Sequence, residues 1–216
     1  FDTGQIKMKI LNEISPEIRQ KNFDTMIKNK YPKATIYNVS KGVKHIRLTR
    51  YYNGKPVRIN VVEADMKLAN DLVLTPALSS SSVLKSRRTI STIAKNNNAI
   101  VAINGTYFKP QTGVPLGTLM IDKKIYTGPV FDRVAIGIFD DGAPQRFDVA
   151  RVQLNATIKG SGKTIKVNNI NQPRMLSTYI LVYTPEWGKF APQAPKYGTG
   201  LQVVDGKIVK TSANSM

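Results

Sequence analysis

The stretch "VKHIRLTRYYNGKPVRINVVEADM", residues 43 to 66, decides the architecture. Apolar and polar side chains alternate on both sides of Asn53-Gly54, and Asn-Gly between two alternating runs is the strongest short-range signal for a β-hairpin. Strands are therefore expected at 43–52 and 55–66, and "ATIYNV" (34–39) reads as a third. Ahead of them, residues 13–30 read as a helix. Ser15 can cap it, Pro16 sits where a first turn tolerates proline, and Ile14, Ile18, Phe23, Met26 and Ile27 supply an apolar stripe before Pro32 closes it.

Downstream, "SSSSVLKSRRTISTIAKNNN" (79–98) begins with hydroxyl residues and continues as a plausible second helix that runs out in three asparagines. "AIVAI" (99–103) then reads as a buried strand entering an Asn104-Gly105 corner, with Tyr107 and Phe108 packing behind it. Short runs bounded by Gly, Pro, Asn or Asp follow: "PLGTLMIDKKIYTG", "RVAIGIFDDGAP", "QRFDVARVQLNATI", "KTIKVNNI", "TYILVYT" and "LQVVDGKIVK". Asp141-Gly142 and Asp205-Gly206 sit where hairpin turns belong. Two helices against nine or ten strands give an α+β class, a β-rich mixed-sheet domain (34–216) behind an N-terminal helical arm (1–33). The last hairpin is followed only by "TSANSM", so either it forms an edge or the fold continues and this C-terminus is incomplete.

Composition narrows the chemistry. The 216 residues can bury a substantial core without staples, and no apolar run approaches the roughly 20 residues of a membrane span. With no cysteine there are no disulfides, thiolate metal sites or thiol nucleophiles, and one histidine, His45, rules out sites built on several imidazoles. The chain opens "FDTGQ", without initiator Met or leader, as expected of a processed, exported product. The net charge of +18, from 32 basic and 14 acidic residues, is dispersed. Such a field attracts anionic polymers without reading a sequence. No interleaved aromatic-basic motif of the kind that stacks bases stands out, so specific nucleic-acid binding is not expected.

Motifs of nucleotide and serine chemistry fail on inspection. "GSGKT" (160–164) imitates the end of a phosphate loop, lacks its first glycine and lies between strands. Glu63 and Asp65 alternate at a strand end and share a face; Asp140, Asp141 and Asp205 suit turns. What remains is a set of amides and guanidinium groups at strand ends, Asn104, Arg133, Asn171 and Arg174, a donor set suited to a phosphate or a sugar.

Several of these segments, taken in order, resemble the phosphodiester glycosidase family, whose best-known member uncovers mannose phosphate by removing N-acetylglucosamine. They are "VRINVVEADM" (57–66), "TISTIAKNNNAIVAINGTYF" (89–108), "PLGTLMIDKKIY" (115–126), "DRVAIGIFDDG" (132–142), "NQPRMLSTYILVYTPEWG" (171–188) and "GLQVVDGKIVK" (200–210). "AINGTYF" before "PLG" is the most specific of them; Thr106 stands where the family carries a second glycine. The resemblance covers roughly 43–210 and implies hydrolysis of a sugar-1-phosphodiester on a phosphorylated or anionic glycan. It implies Asn104, Asp65 and Arg133 as catalytic groups: Asn104 orienting an oxygen, Arg133 or Arg174 clamping phosphate, Asp65 assisting water. Gly105, Thr106, Tyr107, Asn171 and Arg174 become substrate contacts. No metal ligand set and no cofactor are identified. The family continues into a second half without counterpart here, so a C-terminal fragment of the same polypeptide is an expected partner. The competing expectation is a non-catalytic module that holds anionic wall or surface polysaccharide through dispersed Lys and Arg.

Overall fold

Asn53 and Gly54 both take positive φ (47° and 72°), the geometry that lets a two-residue turn follow the twist of its strands. In the computed structural model, which describes residues 15–142, 144–174, 176–194 and 198–213, this turn joins β2 (Val43–Tyr52) to β3 (Lys55–Ala64). With β1 (Thr35–Ser40) they form a three-stranded antiparallel sheet in the order β1-β2-β3. Ser161-Gly162 (48°, 74°) and Asp205-Gly206 (48°, 75°) repeat the device. The first shows that "GSGKT" is the hairpin turn between β8 (Ala156–Gly160) and β9 (Lys163–Val167). The second joins β12 (Thr199–Val204) to β13 (Lys207–Ala213).

The described chain is α+β and β-rich. Its remaining strands are β4 (Leu119–Ile121) paired with β5 (Lys124–Thr127), β6 (Val134–Phe139) with β7 (Arg146–Arg151), and β10 (Asn169–Ile170) with β11 (Leu181–Val182). The β10–β11 pair is parallel. Two helices accompany them, α1 (Pro16–Lys30) and α2 (Ile90–Asn96), together with a 3₁₀ turn at Pro185–Trp187.

The chain divides into two compact units. The first holds the residues up to Leu74 together with Ile138–Phe147, the tip of the β6–β7 hairpin. Helix α1 starts where expected, Ser15 accepting from Ile18 N (3.4 Å), but the predicted stripe is not its buried face: Ile18 and Met26 are exposed and the buried residue is Gln20. Ile14 lies outside the described residues. Polar side chains tie the helix to the sheet. Arg19 pairs with Asp65 (3.0 Å), Gln20 Nε2 donates to both Glu63 oxygens (3.0 and 2.8 Å), and the buried Lys44 ammonium reaches Asp24 (2.6 Å). Val43 and Ile46, both within 1% of full burial, are the apolar anchors of this sheet.

The second unit, Thr75–Gly137 with Asp148–Met216, centres on Leu84, Val114 and Trp187, against which Leu78, Tyr126 and Tyr183 pack. Here the sequence reading needs two corrections. The second helix is short, and 79–88 is irregular before Thr89 caps α2 by accepting from Thr92 N (3.3 Å). Residues 99–103 form no strand: no described strand pairs with them, Ala99 N donates instead to Ala94 O of α2 (2.9 Å), and Ile100 and Ile103 are 53% and 76% exposed. An apolar run specifies a strand only where a neighbour takes up its amides and carbonyls.

The loops of this unit are joined instead by two adjacent amides. Asn171 Nδ2 donates to Tyr126 O (2.8 Å) and Thr184 Oγ1 (2.7 Å), while Oδ1 accepts from Thr184 N (2.9 Å). Gln172 Nε2 lies within 3.1–3.3 Å of the carbonyls of Pro115, Gly117 and Gly128. Both side chains are essentially inaccessible. Asn171→Ala leaves these partners unsatisfied and puts alanine at φ 49°, so a loss of about 2–4 kcal/mol is expected in urea unfolding. Asn171→Gly removes the strain alone and should recover only a minor part; recovery of most of the stability would assign the cost to backbone conformation.

Candidate functional site

The loop that carries "NGTYF" is a narrow two-stranded turn planted in the core. Val114, fully buried beside Leu84 and Trp187, is its root. Lys109 N donates to Val114 O (2.9 Å), Phe108 bridges Pro115, Leu116 N donates to Tyr107 O (2.8 Å), and Thr106 Oγ1 donates to Leu116 O (2.9 Å). Gly113 allows the return: a Cβ there would lie 2.3 Å from Ser86 O, and its φ is +83°. Thr106 thus fastens the loop with its hydroxyl at the position where the resembling family has glycine. Asn104 and Gly105 stand exposed at its rim, and so does the Tyr107 ring, 76% exposed instead of packing a corner.

Arg133 comes to this rim. Its guanidinium lies 5.4 Å from the Tyr107 ring centre and 5.7 Å from that of Phe131, the distance range of cation–π attraction, worth roughly 0.5–1 kcal/mol at an exposed site. Phe131 and Asp132 take positive φ (55° and 49°), a strained pair that turns Arg133 toward the ring. Asp132 is held on the other side by Arg151, which donates to its carboxylate (3.0 Å) and its carbonyl (2.8 Å). An amide, a phenol and a guanidinium therefore share one exposed rim with a carboxylate next to them in the chain. That set can accept a hydroxyl-bearing ring and an anion together.

The other residues named from the sequence have different settings. Asp65 belongs to the first unit, where its carboxylate is engaged by Arg19 and by Lys67 N (3.0 Å). Asn171 belongs to the second unit, but its amide is fully used inside the fold, so it holds loops and offers no donor outward. Arg174 is half-buried and its charge bears on Tyr183, whose hydroxyl donates to Gln172 O (3.0 Å); burial outweighs that charge and raises the phenol's pKa. Sequence reading missed Phe131 and the Asp132–Arg151 pair. Arg133 was visible as a guanidinium at a strand end, but the positive-φ turn at Phe131–Asp132 that aims it was not. Among the described residues no three His, Cys, Asp or Glu side chains gather to hold a metal.

Beneath the rim, Glu186 anchors the second unit's ionic framework. It accepts from Thr184 Oγ1 (2.6 Å) and pairs with Lys124, and its backbone carbonyl accepts from Leu84 N (2.7 Å). The Lys124 and Thr184 hydrogen bonds hold its carboxyl down at about 2, against an ordinary 4.5. Nearby, the Lys85 ammonium stands 4.6 Å over the Trp187 ring, where burial lowers its pKa.

No protein-family model matches the chain, and no curated protein matches it. Among solved structures, the crystal structure of a hypothetical protein from Synechocystis is similar, with a TM-score of 0.70 at 23% identity over 86% of this chain. The match takes in 34% of that chain, so this chain spans about a third of its length. This likeness establishes the fold.

Because the Glu186 pKa is lower in the folded state, its stabilising contribution is complete above about pH 4.5 and is lost as pH falls toward 2. Urea midpoints measured across that window should fall for the parent protein and flatten in Glu186→Gln; an unchanged pH profile in the variant would remove Glu186 from the acid transition.

Proposed function

We propose that the chain is the glycan-facing part of a phosphodiester glycosidase, an exported hydrolase that cleaves a sugar-1-phosphodiester on a phosphorylated or anionic glycan. The observation that carries this reading is the Asn104–Tyr107 rim with the Arg133 guanidinium 5.4 Å over the Tyr107 ring. The ordered resemblance of "AINGTYF", "PLG" and "DRVAIGIFDDG" to that family supports it, as does a net charge of +18 that draws anionic polymers in.

In this reading the sugar ring lies against Tyr107, Asn104 orients a ring or phosphate oxygen, and Arg133 receives the phosphate. Water attacks the anomeric carbon, the bond from that carbon to the phosphate oxygen breaks, and the electron pair leaves on the phosphate. The products are a free sugar and a phosphomonoester. A phosphate is a far weaker base than a sugar alkoxide, so the demand on a general acid is small. The stabilisation needed is electrostatic, at the departing phosphate and at the cationic ring. We assign the water's proton to Asp132, next to Arg133 in the chain: both Asp132 and Asp65 pair with an arginine, but the Asp132 side chain is 58% exposed beside Arg151 whereas Asp65 is 13% exposed beside Arg19 in the first unit. A C-terminal companion segment from the same polypeptide, completing the domain, belongs to the same proposal. No helix among the described residues is long and apolar enough to cross a membrane.

Release of sugar from nitrophenyl-phosphodiester and nucleotide-linked hexosamines tests this, with the chain alone and with the complete gene product. Asn104→Ala should lower turnover by about 10² to 10³ with the circular-dichroism spectrum unchanged. Asp132→Asn should lower it while Asp65→Asn retains more activity. Absence of turnover by both forms, with salt-sensitive glycan binding intact in Asn104→Ala, would replace the hydrolase with the binding module.

A further inference from the structure

The first unit's sheet has one face that α1 does not pack on; beyond the buried Val43 and the half-exposed Val62 at one end, its exposed polar side chains are basic or neutral. Register and strand alternation put Tyr37, His45, Arg47, Tyr51, Arg58 and Asn60 on this face, opposite the one where Lys44 and Glu63 meet the helix. No acidic residue shares it among the described strand positions. Arg47 pairs in register with Asn60 and Thr49 with Arg58, so the two arginines are diagonal neighbours roughly 7 Å apart at Cβ. Both are exposed, and neither has an ion-pair or hydrogen-bond partner among the described residues. By contrast Lys44 and Arg19, toward the helix, are both neutralised by carboxylates.

The structure assigns to this face of the first unit a binding surface of its own, for a linear glycan whose units are joined by phosphodiesters. Unpaired guanidinium forks match phosphate oxygens two at a time. The neutral hydrogen-bonding side chains set across from them, Thr49 and Asn60, match hydroxyls on the intervening rings. Asn60 is already oriented, its Oδ1 lying 3.0 Å from His45 Nε2, and His45 is stacked on Tyr37 at 5.8 Å. The aromatic spacing argues against a single-stranded nucleic acid. The Tyr37–His45 pair and Tyr51 lie six residues apart along β2, roughly 20 Å, whereas stacking of successive bases calls for rings at each step. The surface goes beyond the proposed hydrolysis and does not depend on it.

Fluorescence anisotropy of labelled poly(N-acetylglucosamine 1-phosphate) with the full chain tests the assignment, in an Asn104→Ala background so that turnover cannot deplete the probe. Arg47→Ser with Arg58→Ser should weaken binding tenfold or more and reduce the salt dependence of log K by about 1–2. The double lysine variant at the same positions, which keeps charge but loses the fork, should fall between. Lys207→Ser with Lys210→Ser, exposed cations on β13, should change affinity less than twofold. Unchanged affinity in the arginine double variant, or an equal loss in the lysine control, would overturn the surface. Tighter binding of a twenty-residue oligothymidylate that the arginine variant abolishes would reassign it to nucleic acid. Failure of the hydrolysis assays leaves this binding result untouched.

Discussion

Two adjacent side-chain amides, Asn171 and Gln172, do in the second unit what a continuous sheet does elsewhere. Its strands pair only two by two, and short hairpins leave outward carbonyls without ladder partners. Burying such groups unpaired costs about 1–3 kcal/mol each. The residue at 171 takes a left-handed conformation, φ 49°, which turns consecutive side chains into different loops. One amide then closes on Tyr126 and Thr184, the other on Pro115, Gly117 and Gly128. Gly117 O accepts from Thr127 Oγ1 as well (2.6 Å), so the root of the candidate site and the β4–β5 hairpin share one acceptor. Gly128 permits this closeness, since a Cβ there would stand 2.1 Å from Asn169 Oδ1.

The same economy of apolar contact governs the first unit. Its helix docks through three carboxylates and their cationic or amide partners, which explains why an apolar stripe was the wrong guide to its buried side. Glu63 and Asp65 were correctly read as sharing a face, and that face is the helix dock. Partly buried pairs of this kind contribute modestly to stability but fix register, because a displaced helix would leave charges unpaired. Buried side-chain polarity of this sort has no periodic signature, whereas the Asn53-Gly54 and Asp205-Gly206 turns announce themselves through residues that accept positive φ.

Legibility followed that division. Strand pairs closed by two-residue turns could be read from local chemistry, to within a residue or two. The run at 99–103 could not, since its apolar content promised a strand while the fold supplies no neighbour for it. Within the candidate site, Asn104 and Arg133 were visible as residue types at segment ends. Their setting was not, because it arises from contacts across many positions: Thr106 to Leu116, Arg133 over Tyr107, Asp132 to Arg151. Asn171 was legible as an unusual amide and misleading as a ligand, because nothing in a single sequence separates an amide that faces solvent from one that replaces a sheet.

Charge organisation then follows from where the carboxylates are. Arg19, Lys44, Lys124, Arg146 and Arg151 each pair with an acid, and each pair closes a structural joint. With 14 acids against 32 bases, most cations are left to the field, and position decides which of them can act locally. Arg133 differs from a solvated lysine in having its guanidinium near two rings, its neighbour Phe131 and Tyr107 on the loop rooted at Val114. A group already held in place loses less conformational freedom when an anion arrives, so more of the contact energy appears as affinity. A rigid root beneath an exposed rim is therefore the property that separates this cluster from the surrounding basic surface.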